Sequence, residues 1–540
     1  MQLTQTKPRR FLCLLVSALL TGLTLVFPEV GFFEWITLIP VGIFLLTYAS
    51  QREVRLRCLY GYGLIFFWCF YLVVFHWFVN LYPLDFIDGM TKGGALAVVL
   101  VAWLGLSLLQ ALMGGLVFVF TGLLLRTRLS DRYPLSRPFL LAALWAFYEW
   151  TQTLGWWGVP WGRLPIGQSK YLIGLQTASW FGSYFITFLL VAVNLCLAYA
   201  LCKMMREPKD RWLLSVRGAC AAVAVMLVFQ YGAGTVLWFS KPEATRTVRV
   251  AVVQGNISSH EKWSFDSTQR TREIYREYTL RAAEEGADVV VWPETALPYT
   301  VDEDTSYLVN LAREANVTIL VGAFTEDEES RQYNSIACFL PDGSMHDTVY
   351  AKRRLVPFGE FVPLRGLIET LIPPLAELVL SGEDVAWGEG ANVVALEEGK
   401  VGSLICFDSI YEDLTRDSVL DGAELICLST NDSWFTDSAA LYMHNAQAQL
   451  RAIESGRYVA RSANTGISTV ISDRGEVLAD LEPLVDGMLV EDVAMRDSMT
   501  LYARIGNCFV YFCGIGLSFL LLSELAWCIR QKRRKAKNDS

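Results

Sequence analysis

Apolar runs near residues 11–28, 31–49, 59–79, 94–125, 138–154, 172–202, 217–239 and 505–528 constrain this 540-residue chain more than any other feature. About 20 mostly apolar residues cross the hydrocarbon of a bilayer. Backbone polar groups must be paired inside the segment there, so each run is expected to be a helix. The first two runs are short and are expected to form a hairpin around Pro28 and Gly31. Between the seventh and eighth runs the chain changes character. Residues 242–496 hold 43 of the 55 acidic side chains but only 20 of the 46 Lys and Arg, a net −23 set in a frame of +14. The split predicts a membrane domain of about seven helices over 1–241, a folded extramembrane domain over 242–496, and a last helix with a basic tail over 497–540.

Basic residues give an orientation. They flank the runs at Lys7, Arg9 and Arg10, at Arg52, Arg55 and Arg57, at Arg126 to Arg137, at Lys203 to Arg217, and at Arg530 to Lys537. The opposite loops carry only Lys92, Arg163 and Lys170. The positive-inside rule then predicts cytoplasmic termini and puts 242–496 outside the cytoplasm. No Ala-x-Ala site ends the first run, which argues against a cleaved leader. The acidic segment is long enough for one substantial core, and its charge argues against a nucleic-acid partner. Of the twelve cysteines only Cys338, Cys406 and Cys427 fall within it, so no disulfide framework is expected. His76, His260, His346 and His444 are scattered, and neither a metal site nor a cofactor is expected. Glu149, inside the fifth run, is either functional or solvated near an interface. Trp156 to Trp161 suits an interfacial aromatic belt or the lining of a lipid entrance.

Within 242–496, β-branched runs alternate with helical spacing. Strands are predicted at 248–253, 287–291, 317–322, 401–406, 425–429, 458–462 and 469–472, with a hairpin over 334–339 and 348–351. Helices are predicted at 267–285, 305–315 and 440–454. The pattern is that of an α/β domain. Three of its elements end in chemically capable residues: Glu294 after Trp292-Pro293, Lys352 before Arg353-Arg354-Leu355-Val356-Pro357-Phe358-Gly359-Glu360, and Cys406 before Phe407-Asp408. A thiol attacks carbonyls if a base removes its proton. No histidine has a suggestive context, which leaves Glu294 as the candidate base and Lys352 as a stabiliser of developing negative charge. Each residue alone is more often inert: a core cysteine, a solvated acid, a surface cation. The three together in sharply punctuated motifs favour acyl transfer through a thioester.

These motifs resemble the carbon–nitrogen hydrolase (nitrilase) superfamily over residues 248–492. With the apolar runs, and with Val253-Gln-Gly-Asn256, Thr430-Asn-Asp-Ser-Trp-Phe435, Arg461–Ser468 and Gly158-Val-Pro-Trp161, the whole chain resembles the apolipoprotein N-acyltransferase family. The resemblance implies an α-β-β-α sandwich, with Glu294 as proton acceptor, Lys352 as oxyanion and thioester stabiliser and Cys406 as nucleophile. It implies supporting roles for Glu360, Asp408, Tyr411 and Trp263. It implies a phospholipid acyl donor, phosphatidylethanolamine above others, and as acceptor the α-amine of the S-diacylglyceryl-cysteine of apolipoproteins. Two positions depart from the family pattern: Asp408 where Glu is frequent, and Thr436 where Gly is frequent.

Two alternatives stay open at this level. A membrane-anchored amidase shares the chemistry up to the thioester, but a tether needs one span. A transporter with an external binding domain would place ionisable residues along several spans, and beyond Glu149 and His76 few are evident. The apolar stretch 361–380, broken by Pro373-Pro374, is either packed on the core or a lid resting on the bilayer.

Overall fold

The computed structural model describes residues 6–84, 90–240, 246–258, 265–371 and 384–538. The chain forms two units: Met1–His76 with Leu100–Ser240 and Asn507–Ser540, and Trp77–Val99 with Lys241–Gly506.

In the first unit and its continuations, seven helices among the described residues are long and apolar enough to cross a membrane: Lys7–Val26, Pro28–Ala49, Leu56–Val74, Lys92–Leu124, Ser183–Arg206, Trp212–Phe239 and Cys508–Asn538. The expected span at 138–154 is instead the 16-residue helix Ser136–Thr151. At 1.5 Å per residue it is about 24 Å long, short of a full crossing. The run expected at 172–202 is likewise divided. Two short turns precede Gly182, which takes a φ of 78°, and the long helix starts at Ser183.

The second span is broken into short helical pieces, because Pro40 has no N–H to continue the ladder. Neighbouring side chains supply the missing partners. Asn194 Oδ1 accepts from the Leu38 N–H at 2.8 Å, and its Nδ2 donates to the Glu34 carbonyl at 2.9 Å. Ser17 Oγ accepts from the Val41 N–H at 3.0 Å. Glu149 is buried and not solvated at an interface: its carboxylate accepts from Thr187 Oγ1 at 2.5 Å and from the Leu164 N–H at 3.2 Å. The sequence reading passed over Glu34, which is also buried and accepts from Gln168 Nε2 at 2.7 Å. The aromatic stretch divides, with Trp156 and Trp157 exposed and Trp161 buried.

Among the described residues the second unit is built on twelve strands: β1 Thr247–Gln254, β2 Val289–Val291, β3 Thr318–Glu326, β4 Gln332–Phe339, β5 Tyr350–Ala351, β6 Val394–Ala395, β7 Lys400–Ile405, β8 Leu425–Thr430, β9 Tyr458–Ala463, β10 Thr469–Ile471, β11 Val477–Asp480 and β12 Gly487–Ala494. They form two six-stranded sheets, ordered β12-β1-β2-β3-β4-β5 and β11-β10-β9-β8-β7-β6. Each sheet has a parallel triplet at its centre, β1-β2-β3 and β7-β8-β9, flanked by antiparallel strands.

The period-two alternation of β1 shows how the layers arise. Val248, Val250 and Val252 point into a core shared with Ile405, Leu425 and Cys427 of the other sheet. Ala251 and Val253 point the other way, toward helices Phe265–Glu284 and Thr305–Ala315. Helices Glu412–Leu420 and Ala439–Ser455 cover the second sheet, giving the α-β-β-α sandwich. Of the stretch 361–380, Leu364 and Leu367 are exposed, so its first turn is not core. Residues 372–383 lie outside the described residues.

One close approach fixes where β2 delivers its following residues. A Cβ at Gly322 of β3 would lie 2.1 Å from the Pro293 carbonyl oxygen and 2.9 Å from Glu294 Cα. Both are backbone atoms and cannot step aside. Gly322→Ala is therefore expected to destabilise the protein by about 1–3 kcal/mol, measured by thermal unfolding in detergent, whereas Ala323→Gly beside it should leave Glu294 in place.

Candidate active site

The parallel strands of both sheets end at one locus. β2 runs into Trp292-Pro293-Glu294, β5 into Lys352, β7 into Cys406 and β8 into Asn431-Asp432. The ends of parallel strands leave outward-pointing backbone and room for side chains, which is where such folds assemble sites.

Lys352 is the hub. It is 1% exposed, and its ammonium donates to Glu294 Oε1 at 2.8 Å and Glu360 Oε1 at 3.0 Å. Burial alone would lower its pKa, but Glu294 and Glu360 outweigh that and hold it well above the usual lysine range. Asn334 Nδ2 donates to the same two carboxylates, at 2.7 Å and 2.9 Å. The second oxygen of Glu294 accepts from the Asn431 N–H at 2.8 Å, and that of Glu360 from the Val356 N–H at 2.8 Å. Asn334 lies in none of the motifs read from the sequence, and Asn431 enters there only as part of the string Thr430–Phe435.

Cys406 lies one residue beyond β7, not within it, and opens a 3₁₀ turn with a φ of 47°. That left-handed conformation is unfavourable for a residue with a Cβ and is seen where a fold aims a side chain. The residue keeps some surface, yet desolvation of its thiol, followed by the charge of Glu294, pushes its pKa far up, with Lys352 opposing. The resting group is a thiol and needs a base.

Asp408 braces this turn. Oδ1 accepts from the N–H groups of Arg353 at 3.3 Å and Arg354 at 2.8 Å, and Oδ2 from Tyr350 Oη at 2.8 Å and the Ile405 N–H at 3.1 Å. The shorter acid thus ties the lysine loop to the cysteine turn. Tyr411 is buried, with its ring against Phe407 and under the Arg354 guanidinium. Trp263 lies outside the described residues. Thr436 takes the glycine conformation, with φ 48° and ψ −152°. The loop that holds it is met by segment Trp77–Val99: Trp77 packs edge-on against Phe435 at 4.8 Å, and Asn80 Nδ2 reaches Thr436 Oγ1 at 3.4 Å.

The expectation that no histidine has a suggestive context fails at His444. Cys406, Asp432 and His444 bring Sγ, a carboxylate oxygen and a ring nitrogen within 4.8 Å of one another. His444 Nδ1 lies 3.0 Å from Asp432 Oδ1, and Nε2 lies 3.2 Å from the Cys406 carbonyl oxygen and 3.0 Å from Ser409 Oγ. Arg461 donates to Asp432 Oδ2 at 2.6 Å. Protein partners already engage these lone pairs, so the cluster is a hydrogen-bonded network and not a vacant metal cage. No sequence spacing announces it, since 38 residues separate His444 from Cys406.

Burial is the largest influence on Asp408 and raises its pKa to about 6, against the opposing pull of Lys352 and its hydrogen bonds. The folded state therefore keeps a proton that the unfolded chain releases near pH 4, and this group subtracts stability as pH rises from about 4 to about 6. Asp408→Asn cannot titrate and should flatten the stability slope in that window, measured by thermal unfolding. At pH 7 it should still be less stable by about 1–3 kcal/mol, because its amide faces donors where the carboxylate accepted.

A family profile described as carbon-nitrogen hydrolase matches residues 249–501, and one described as apolipoprotein N-acyltransferase N-terminal domain matches 17–196. The apolipoprotein N-acyltransferase of Gloeobacter violaceus is 31% identical over 96% of this chain and 94% of its own. That of Geobacter metallireducens is 32% identical over 69% of this chain and 71% of its own. Among solved structures, Saccharomyces cerevisiae Nit3, a nitrilase-superfamily member, is 20% identical over 47% of this chain and 93% of its own, at a TM-score of 0.37. With relatives aligned along nearly its whole length, through both the membrane helices and the sandwich, the chain belongs to the apolipoprotein N-acyltransferase family.

Proposed function

We propose that this multi-pass membrane enzyme moves a fatty acyl chain from phosphatidylethanolamine to the α-amine of the S-diacylglyceryl-cysteine of apolipoproteins, through a thioester on Cys406. The observation that carries the mechanism is the convergence of Glu294, Lys352 and Cys406, with the thiol held protonated by burial and by Glu294. Glu294 takes the Sγ proton as sulfur attacks the ester carbonyl. The Lys352 ammonium offsets the oxyanion of the tetrahedral intermediate. The C–O bond breaks, Glu294 returns the proton to the departing lysophospholipid, and the acyl group stays on sulfur. The acceptor amine then attacks the thioester, gives its proton to Glu294, and Cys406 leaves as the thiol on reprotonation. Glu360 and Asn334 position Lys352 and Glu294, and Asp408 and Tyr411 hold the turn that presents Cys406. No step calls on a metal or a diffusible cofactor.

The basic flanks of the apolar runs support an inner-membrane enzyme whose termini are cytoplasmic and whose sandwich faces the periplasm. The exposed Leu364 and Leu367, after the lysine motif, suit contact with acyl chains or with the bilayer surface.

Purified enzyme incubated with labelled phosphatidylethanolamine should yield a hydroxylamine-sensitive adduct on Cys406, located by peptide mass spectrometry. Cys406→Ser should form no such adduct while remaining in the membrane. Glu294→Gln should slow its formation by about 10²–10⁴-fold, as loss of a general base does. Full adduct in Cys406→Ser would overturn the assignment of the nucleophile. A reporter active only outside the cytoplasm should work when fused near residue 400 and fail after Arg534; the reverse pattern would put the sandwich in the cytoplasm.

A further inference from the structure

The charges around Cys406 do not balance through the motif residues alone. Lys352 carries one positive charge against the two negative charges of Glu294 and Glu360. A thiolate formed there would meet net negative surroundings, and Coulomb repulsion in a buried site is strong. The groups facing Cys406 from the packed elements are Glu294, Lys352, Asp432 and His444, with Arg461 behind Asp432 and Asp408 two residues along the turn.

The hydrogen-bond geometry of His444 supplies the missing charge. The ring is 1% exposed. Nε2 faces the Cys406 carbonyl oxygen, which can only accept. It also faces Ser409 Oγ, whose hydrogen is already given to that carbonyl at 2.8 Å, so the hydroxyl accepts from the ring. A hydrogen on Nε2 suits both contacts. Nδ1 faces Asp432 Oδ1 at 3.0 Å. Burial would raise the pKa of Asp432, but Arg461 and His444 hold it far below the usual carboxylate range, so this oxygen accepts as well. Arg461 Nη2 also lies 3.3 Å from Nδ1, but its shorter contact, 2.6 Å, is to Asp432 Oδ2. A ring with hydrogens on both nitrogens matches these acceptors.

We propose that His444 is a cationic positioning residue for the nucleophile: an imidazolium, oriented by Asp432 and Arg461, that clamps the Cys406 carbonyl and offsets negative charge around the thiolate. His444 and Arg461 against Asp432 contribute +1 against the −1 of the lysine and two glutamates, which leaves the Asp408 carboxylate as the remaining negative charge. One N–H bond holds the left-handed turn in place, and the charge lowers the free energy of the thiolate that forms when Glu294 takes the proton. The role rests on Cys406 as the nucleophile.

The test uses the rate at which iodoacetamide alkylates Cys406 in the full-length enzyme in detergent, followed by peptide mass spectrometry across pH. His444→Gln retains a donor for the Cys406 carbonyl without the charge. It should shift the alkylation profile upward by about one pH unit and slow the reaction at pH 8 about tenfold, whereas His444→Ala should also lower the melting temperature. A His444→Gln profile that overlays the parent would reduce His444 to a neutral structural clamp and overturn the proposal. Should neither variant fold, a variant lacking His76, His260 and His346 leaves one imidazole for ¹⁵N NMR, and a ring found neutral at pH 7 overturns the proposal equally. Alkylation needs no lipid, so a parent enzyme that alkylates normally but never forms an acyl thioester refutes the transferase mechanism and leaves the charge assignment intact.

Discussion

An ammonium group with almost no access to water organises the catalytic unit. Removing a lysine charge from water is expensive, several kcal/mol after relaxation, unless ionised partners and hydrogen bonds replace the solvent. Lys352 has those partners in Glu294 and Glu360, and Asn334 bonds both carboxylates from the side. Each contributor comes from a different piece of chain: the end of β2, the strand β4, the end of β5 and the loop that follows it. Meeting the demands of one buried charge thus helps fix the relative placement of these segments. Glu294 gains its orientation from this arrangement and from the Asn431 N–H, which comes from the second sheet.

The second sheet contributes Cys406, the proposed nucleophile, in an unfavourable backbone conformation, and two braces hold it. Asp408 collects four donors from the lysine loop, from β5 and from the last residue of β7. His444, from the helix Ala439–Ser455, and Ser409, from the turn itself, converge on the Cys406 carbonyl. Asp408 therefore does the work expected of the longer acid by drawing the lysine loop close. Thr436 is the costlier departure. A β-branched residue at φ 48° and ψ −152° stores about 1–3 kcal/mol, in a loop that Trp77 and Asn80 contact.

Much of this was legible in the sequence where the physics is local. The valine runs of β1 and β2, the apolar membrane helices, and the three motif residues all declare themselves within a few positions. The helix Ala439–Ser455 did too, capped by Ser438 and stopped by Gly456 in the left-handed region. Elements at sheet edges did not. β12 mixes Glu491 and Asp492 with apolar residues because it is partly exposed, and β6 is two residues long. The expected span at 138–154 ran past the helix end, where polar Gln152 and Thr153 follow Thr151. Glu34 escaped because aromatic and aliphatic neighbours mask a single acid. His444 and Asn334 were invisible for another reason: their importance comes entirely from partners distant in sequence, which no spacing rule encodes.

The broken second span bears on how the protein is made. The Glu34 carbonyl and the Leu38 N–H at its interruption bond to Asn194, 160 and 156 residues further along the chain. A ribosome feeding this chain into a bilayer delivers the interrupted segment long before the residue that repairs it. Until the helix Ser183–Arg206 arrives, that segment carries exposed polar backbone that hydrocarbon does not tolerate. The nascent chain must therefore wait at the insertion machinery or at the interface, so assembly of the membrane unit is ordered by the late arrival of one asparagine.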